Sequence, residues 1–192
     1  ALNQRHVTHR EHLRIRSIQN LMTEDSVAAE QSTKTFTLLY PGDPLAHHYH
    51  ALALRNLDLP EEARKELLET RRLRPTDSAL NNLVSIGLLC ERKQEVAGYL
   101  KQLRPAAASY YGGLSKFLDR DFAGCETAFL DVIRNQDPLL RSPAYGALAS
   151  LFCELGRLRD AHSILEEGIA SDAATGKESG RGRKLLASAH LH

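Results

Sequence analysis

Three histidines stand within four positions in the stretch "DPLAHHYHALAL": His47, His48 and His50. Imidazole nitrogens bind zinc, and a histidine can also act as a general acid or base near neutral pH. His47 and His50 are three positions apart, so on a helix they share one face. A zinc site needs three or four ligands, however, and the surrounding sequence offers no HExxH motif, no Cys pair and no acidic residue at ligand spacing. We therefore expect His47 and His50 to point into the packing between helices, without a bound metal or other cofactor.

Motifs for catalysis or nucleotide binding are also absent from the sequence. The stretch "TGKESG", residues 175–180, resembles a phosphate loop, but position 171 is Ser where that loop needs Gly, and Glu178 replaces the Ser or Thr after the Lys. No GxSxG elbow, kinase catalytic loop or paired catalytic carboxylate is found. We predict that this segment is not an enzyme. Residues 175–180 are interpreted as a polar connector, and "RGRK" at 181–184 as the solvated first turn of a helix.

The overall composition disfavours nucleic acid and membrane insertion. The formal net charge is +1, aromatic residues make up 6% of the chain, and Trp is absent. A cationic surface and aromatic stacking platforms, which nucleic acids need, are therefore not expected. No apolar run approaches the roughly 20 residues of a membrane span. The predicted partner is a protein or peptide, and self-association stays open.

The three cysteines, Cys90, Cys125 and Cys153, are far apart in the sequence. Their odd number and the absence of a CxxC pair indicate reduced thiols in a non-oxidising compartment. We therefore expect a cytoplasmic location. The chain begins at Ala1 without Met and ends within a helical pattern, which we interpret as a domain of a longer protein. A membrane-anchored parent chain is the alternative.

A repeat of 34 residues organises the chain. Ala29, Ala63 and Ala97 are separated by this distance, as are Pro41 and Pro75. The stretch "SPAYGALASLFCELGRLRDAHSILEEGIA" matches most of the tetratricopeptide pattern, which has the same length. Each such repeat is a pair of antiparallel helices that requires small residues where the two backbones approach. Candidates for these positions are Ala51, Ala63, Gly113, Ala149 and Ala161.

The predicted fold is all-α, an α-solenoid of antiparallel helix pairs that forms a right-handed superhelix. We expect one tetratricopeptide array over residues 1–192. Its repeats are predicted at about 10–43, 44–77, 78–105, 106–141 and 142–175, with 176–192 as a capping helix or the start of a further repeat. The third repeat is short because its second helix ends at Pro105. The first is the most divergent, with Ser17 where Gly or Ala is expected.

The first helix of each repeat lines the concave groove in such arrays. The residues placed there as candidate partner contacts are Arg14, His48, Leu52, Arg55, Asn82, Ile86, Tyr110, Leu114 and Phe117. Ser150 and Cys153 occupy the corresponding positions of the fifth repeat. This mixture of apolar and polar groups suits an extended peptide or a helix. The alternative is that Ile86, Leu114 and Phe117 belong to the core between repeats.

The order of motifs resembles a particular protein family. The segments "REHLRIRSIQNLM", "TLLYPGDPLAHHYHALAL" and "YGALASLFCELGRLRDAHSILEEGIASDAATGKESGRGRKLLASAHLH" are similar to the C-terminal tetratricopeptide region of bacterial eukaryotic-like serine/threonine kinases. The resemblance implies a kinase domain before Ala1, with none of its catalytic residues in this chain. It also implies a scaffold that recruits proteins to signalling or senses a ligand. The alternative is a ligand-sensing or oligomerising segment of a transcriptional regulator, and the flanking sequence distinguishes the two.

Overall fold

A computed structural model describes residues 7–23, 25–135, 137, 139–176, 180, 184 and 187 of the chain. All regular secondary structure in this part of the chain is helical. The ten helices are α1 His9–Met22, α2 Ser26–Leu39, α3 Pro44–Asn56, α4 Pro60–Leu73, α5 Asp77–Leu89, α6 Lys93–Leu100, α7 Pro105–Leu118, α8 Phe122–Arg134, α9 Arg141–Glu154 and α10 Leu158–Ala174. Each predicted repeat interval thus contains one pair of helices.

Local sequence signals set where these helices begin. Thr8 forms a capping box with Glu11, in which each side chain binds the other residue's backbone N–H. Side chains of other N-cap residues accept a hydrogen bond from the first turn in the same way, namely Asp25, Asp43, Thr76 and Asp121. Proline occupies the first turn of α3, α4 and α7, where its missing N–H has no cost. The starts of these helices therefore have local sequence signals, whereas α9 and α10 begin without a capping side chain.

The turn inside each of the last four helix pairs has the same backbone geometry. A residue with left-handed φ, between 54° and 70°, ends the first helix at Asp58, Glu91, Arg120 and Gly156. The next N–H then bonds to the carbonyl five residues earlier, as from Leu59 to Leu54 at 3.0 Å. This pair of features defines a Schellman motif. Only one of the four positions is glycine, so the backbone hydrogen bonds, and not residue type, maintain the turn.

Counting from these left-handed residues gives the structural register of the repeats. The N-caps of α3 and α5, Asp43 and Thr76, are 33 positions apart and not 34. Consequently Val96 occupies the position of Ala63, while Ala97 is exposed. The bulk of Val96 is accommodated because Gly87 lies opposite, where an added Cβ would come within 2.7 Å of a Val96 methyl group. The 34-residue spacing that equated Ala97 with Ala63 was therefore wrong by one residue at this repeat.

The chain divides into two compact units, Ala1–Tyr99 and Leu100–His192. In the first unit, consecutive helices α1 to α5 pack in order, and α1 also packs on α3. Its fully buried side chains include Phe36, Leu67 and Leu83. In the second unit, α7 to α10 pack in order around Phe129 and Leu148. One continuous array over residues 1–192 stays a prediction, since each unit has its own core.

Small residues occupy the close approaches that the repeat pattern predicted. The buried positions are Ala51, Ala63, Gly113, Ala149 and Ala161. Among the described helices, none combines the length and the apolar character that crossing a bilayer would require.

Candidate partner-binding surface

His47 and His50 are buried between helices, as predicted, with exposed fractions of 8% and 9%. Both lie in the first unit and contact the Glu66 carboxylate on α4. Within the described ranges of the chain, no group of three or more His, Cys, Asp or Glu side chains is arranged to hold a metal ion. Their burial and their contacts with Glu66 make the two histidines packing residues with an electrostatic partner.

Four predicted contact residues come together on the surface formed by α3 and α5. His48, Leu52 and Asn82 are half-buried, and Arg55 is exposed. The Arg55 guanidinium donates from Nη1 to Asn82 Oδ1 at 3.0 Å. We call this set the α3/α5 surface. It offers one apolar side chain beside hydrogen-bonding groups.

The electrostatics of the α3/α5 surface are cationic at Arg55 and neutral at His48. Burial lowers the pKa of His48, and the nearby Arg55 charge lowers it further. His48 Nε2 lies 3.5 Å from the Ser78 hydroxyl. A neutral imidazole has one donor and one acceptor nitrogen, so His48 can accept a hydrogen bond from a ligand amide or hydroxyl. Arg14 is exposed on α1, and its charge acts on Asp43, the N-cap residue of α3.

Ile86 belongs to the core and not to an accessible surface. It is only 1% exposed and packs in a cluster with Leu54 and Leu83. The 33-residue spacing explains why the predicted contact residue is buried. Ser85, and not Ile86, stands six positions before the left-handed residue of its turn, as Leu52 does; we call such equivalent positions the same turn register. The core alternative that the sequence left open for Ile86 is thus the one that its burial supports.

Three predicted contact residues of the second unit lie along α7. Tyr110, Leu114 and Phe117 are half-buried and pack against the core cluster that contains Phe129. The Tyr110 and Phe129 ring centroids are 5.8 Å apart, and burial raises the pKa of the Tyr110 hydroxyl. Each side chain therefore contributes to packing while a part of its surface stays accessible. Whether they contact a partner stays a prediction.

The same positions in the fifth repeat carry small residues and open a cavity. Gly146, Ser150 and Cys153 have the turn register of Tyr110, Leu114 and Phe117, and all three line a cavity of about 640 Å³. The side chains at the corresponding positions of α7 are larger and pack against the core cluster of the second unit. The sequence predicted Ser150 and Cys153 at the groove positions of the fifth repeat, and both residues line this cavity.

Lys184 was not singled out by the sequence. Its ammonium group donates to Asp172 Oδ2 at 2.6 Å and to the Ser142 hydroxyl at 2.9 Å, and the residue is 5% exposed. The interpretation of "RGRK" as solvated was therefore wrong for Lys184, while residues 181–183 lie outside the described residues. Gly180 makes the close approach possible, because a Cβ there would lie 2.6 Å from Asp172 Oδ2. Lys184 lines the cavity, and its contact with Asp172 neutralises its charge there.

Comparison with known proteins identifies the fold. No protein-family model and no curated protein matches the chain. Among solved structures, a thermophilic TPR protein of Thermus thermophilus is similar with a TM-score of 0.68 and 19% identity, over 93% of this chain and 98% of that one. PilW, a type IV pilus biogenesis factor, gives a TM-score of 0.66 and 16% identity, over 91% and 90%.

A tetratricopeptide repeat protein of Parabacteroides merdae gives a TM-score of 0.56 and 18% identity, over 95% of this chain and 75% of that one. At such identities the likeness concerns the fold alone. Together with the helix pairs described above, it confirms the predicted all-α class. The chain has the helix-pair fold of tetratricopeptide repeat proteins.

Proposed function

We propose that the chain is a non-catalytic scaffold that binds a protein partner through the first helices of its repeats. The observation that carries this proposal is the half-exposed state of Leu52, Tyr110, Leu114 and Phe117. Apolar side chains in this state keep contact area available for a ligand while their packing holds them in position. Arg55 and His48 add polar groups beside Leu52, which is a mixture that suits an extended peptide or a helix.

The test combines Arg55→Glu with Tyr110→Ala and measures protein capture by the full chain with quantitative mass spectrometry. We expect the captured partner to be lost. Because Tyr110 also packs against the core cluster of the second unit, capture is measured at a temperature at which circular dichroism shows the double variant to be folded. The matched control is Lys65→Glu with Leu38→Ala, which makes the same kind of change on exposed positions of second helices. Equal capture by both double variants would remove the first helices from the binding site.

A photo-crosslinking residue gives an independent measurement of the same surface. Placed at Leu114, it should form covalent adducts with the captured partner, whereas at Leu38 on α2 it should not. Adducts at Leu38 alone would assign binding to the second helices. The two positions differ in exposure, since Leu38 is 73% exposed and Leu114 half-buried, so greater exposure alone would favour adducts at Leu38.

We also propose that the scaffold is the repeat region of a bacterial serine/threonine kinase, working in the cytoplasm or from a membrane-anchored parent chain. The support for this is the sequence resemblance of the motif order. The full gene product tests it directly: a kinase catalytic loop upstream supports the proposal, and a helix-turn-helix at either end would assign the segment to a transcriptional regulator instead.

A further inference from the structure

A buried cluster of two imidazoles and two carboxylates joins three helices of the first unit. His47 and His50 come from α3, Glu30 from α2 and Glu66 from α4. The loop between α2 and α3 joins the cluster through the Pro41 carbonyl. These contacts connect the first helix pair to the second at a site that excludes most solvent.

His47 has an acceptor oxygen at each ring nitrogen. Nδ1 lies 2.6 Å from Glu66 Oε2, and Nε2 lies 2.9 Å from the Pro41 carbonyl oxygen. A neutral imidazole donates from one nitrogen only, so its other nitrogen would direct a lone pair at an oxygen. The imidazolium form donates from both nitrogens. The geometry around His47 is therefore that of the cation.

His50 lies between the two carboxylates at longer range. Its Nδ1 is 3.4 Å from Glu66 Oε1 and its Nε2 is 3.8 Å from Glu30 Oε1. Neither ring nitrogen has a well-formed hydrogen bond within the described residues. The contact is therefore mainly electrostatic, and a proton on His50 would be attracted from both sides.

Other charged groups around the cluster are already paired. Lys34 on α2 contacts Glu30 at 3.3 Å, and Arg72 on α4 binds Glu69, whose charge also acts on His47. On the α1 side, Arg10 binds Asp43, the N-cap of α3, at 2.7 Å. Glu66 is the carboxylate that contacts both imidazoles.

The two histidines lower the pKa of the Glu66 carboxylate. Burial raises its pKa, but contacts from His50 and His47 outweigh burial, and the pKa lies below its ordinary value. The carboxylate thus stays ionised at mildly acidic pH. The contribution of Glu66 to stability is present above its ordinary pKa of about 4.3 and is lost as pH falls below it.

We propose that this cluster is a pH-sensitive lock between the first two helix pairs. With His47 protonated, one cation holds the Pro41 loop and α4 together. Loss of the proton removes one of the two hydrogen bonds and leaves the Glu66 carboxylate partly buried without its cation. The stabilisation is present where His47 carries two ring protons and is lost as the ring releases one of them. The lock therefore opens toward alkaline pH.

Nitrogen NMR of the histidine rings in the full chain tests the protonation state. At pH 7 we expect both nitrogens of His47 to carry protons. His48, one position away, is the internal control, because burial and Arg55 lower its pKa and should leave it with a single ring proton. A His47 ring with one proton at pH 6 would overturn the proposal.

Hydrogen exchange of the Pro41 loop and the start of α3 tests the lock itself. After correction for base-catalysed exchange, the opening equilibrium should increase as pH rises from 6 to 9, by up to tenfold per pH unit for one proton. His47→Gln should be open at all pH values and lose this slope, whereas His48→Gln should keep it. Opening that does not depend on pH in the wild type, or an equal slope in His47→Gln, would refute the lock. The wild-type measurement is decisive by itself if His47→Gln fails to fold.

Discussion

The pairing of Gly113 with Phe129 in the fourth repeat gives a quantitative test of the packing model. A Cβ added at Gly113 would lie 2.9 Å from Phe129 Cε1 and 3.2 Å from the Ala128 methyl group. At the same turn register, the second repeat carries Ala51 with Leu67. The fourth repeat therefore combines a smaller residue on its first helix with a larger one on its second.

The expected energies follow from these contacts. Gly113→Ala gains up to about 1 kcal/mol of helix propensity but overpacks the site at a cost of about 1–3 kcal/mol. Phe129→Leu leaves a cavity, with an expected cost of about 1–2 kcal/mol, less than the 3–5 kcal/mol typical of Phe→Ala. The double variant recreates the Ala and Leu combination, so its stability should return to within about 1 kcal/mol of the wild type. The coupling between the two sites should then be about 1–3 kcal/mol.

Urea unfolding of the four proteins, followed by circular dichroism, measures this coupling. The control is Gly112→Ala, one position before Gly113, because an added Cβ there meets no atom within 4 Å. It should be neutral or slightly stabilising. Destabilisations of Gly113→Ala and Phe129→Leu that simply add in the double variant would refute the pairing, since additivity is expected of independent sites.

Three further predictions concern single residues. Ser17→Ala should raise the free energy of unfolding by about 1 kcal/mol in a urea titration, because the fully buried Ser17 hydroxyl has no hydrogen-bond partner within the described residues; a loss of stability would show that the hydroxyl is satisfied. Gly156→Ala should lower the melting temperature, at a cost of about 1–2 kcal/mol for a left-handed residue with a Cβ, whereas Glu91→Gly should be neutral or stabilising; the reverse order would contradict the turn assignment. Burial raises the pKa of Cys125 to about 11, so at pH 8 iodoacetamide should modify the exposed Cys153 and leave Cys125 unreacted in peptide mass spectra; equal labelling of the folded protein would contradict its burial.

The helix pairs could be predicted because they depend on local signals. The repeat length, the small residues and the first-turn prolines each report on one helix or one turn, and the structure contains a pair at each predicted interval. The burial of His47 and His50 followed from the same periodicity. Such patterns indicate which face of a helix is buried without any knowledge of its neighbours.

The third repeat shows where this reasoning fails. Ala97 stands 34 positions after Ala63, so the repeat length alone equates the two residues. In the structure the small residue is Gly87 on the first helix, and Val96 fills the space opposite. Close packing constrains the combined volume of both helices. The one-residue error then moved the predicted contact from Ser85 to Ile86.

Tertiary ion pairs lie beyond local patterns altogether. Lys184 is charged and stands in a polar stretch, for which exposure is the ordinary expectation. Its burial depends on Asp172, twelve positions earlier on another element, and on the space that Gly180 leaves. No periodicity in the sequence connects these three residues.

The four equivalent Schellman turns have a consequence for how such a chain can lengthen. Residues 59–91 begin just after one left-handed residue and end on the next. A tandem duplication of this segment would place Leu59 directly after Glu91, where Arg92 now continues from the same backbone conformation. We expect the added copy to fold without a new linker, so that gene duplication can extend the protein by whole units while every junction keeps its hydrogen bonds.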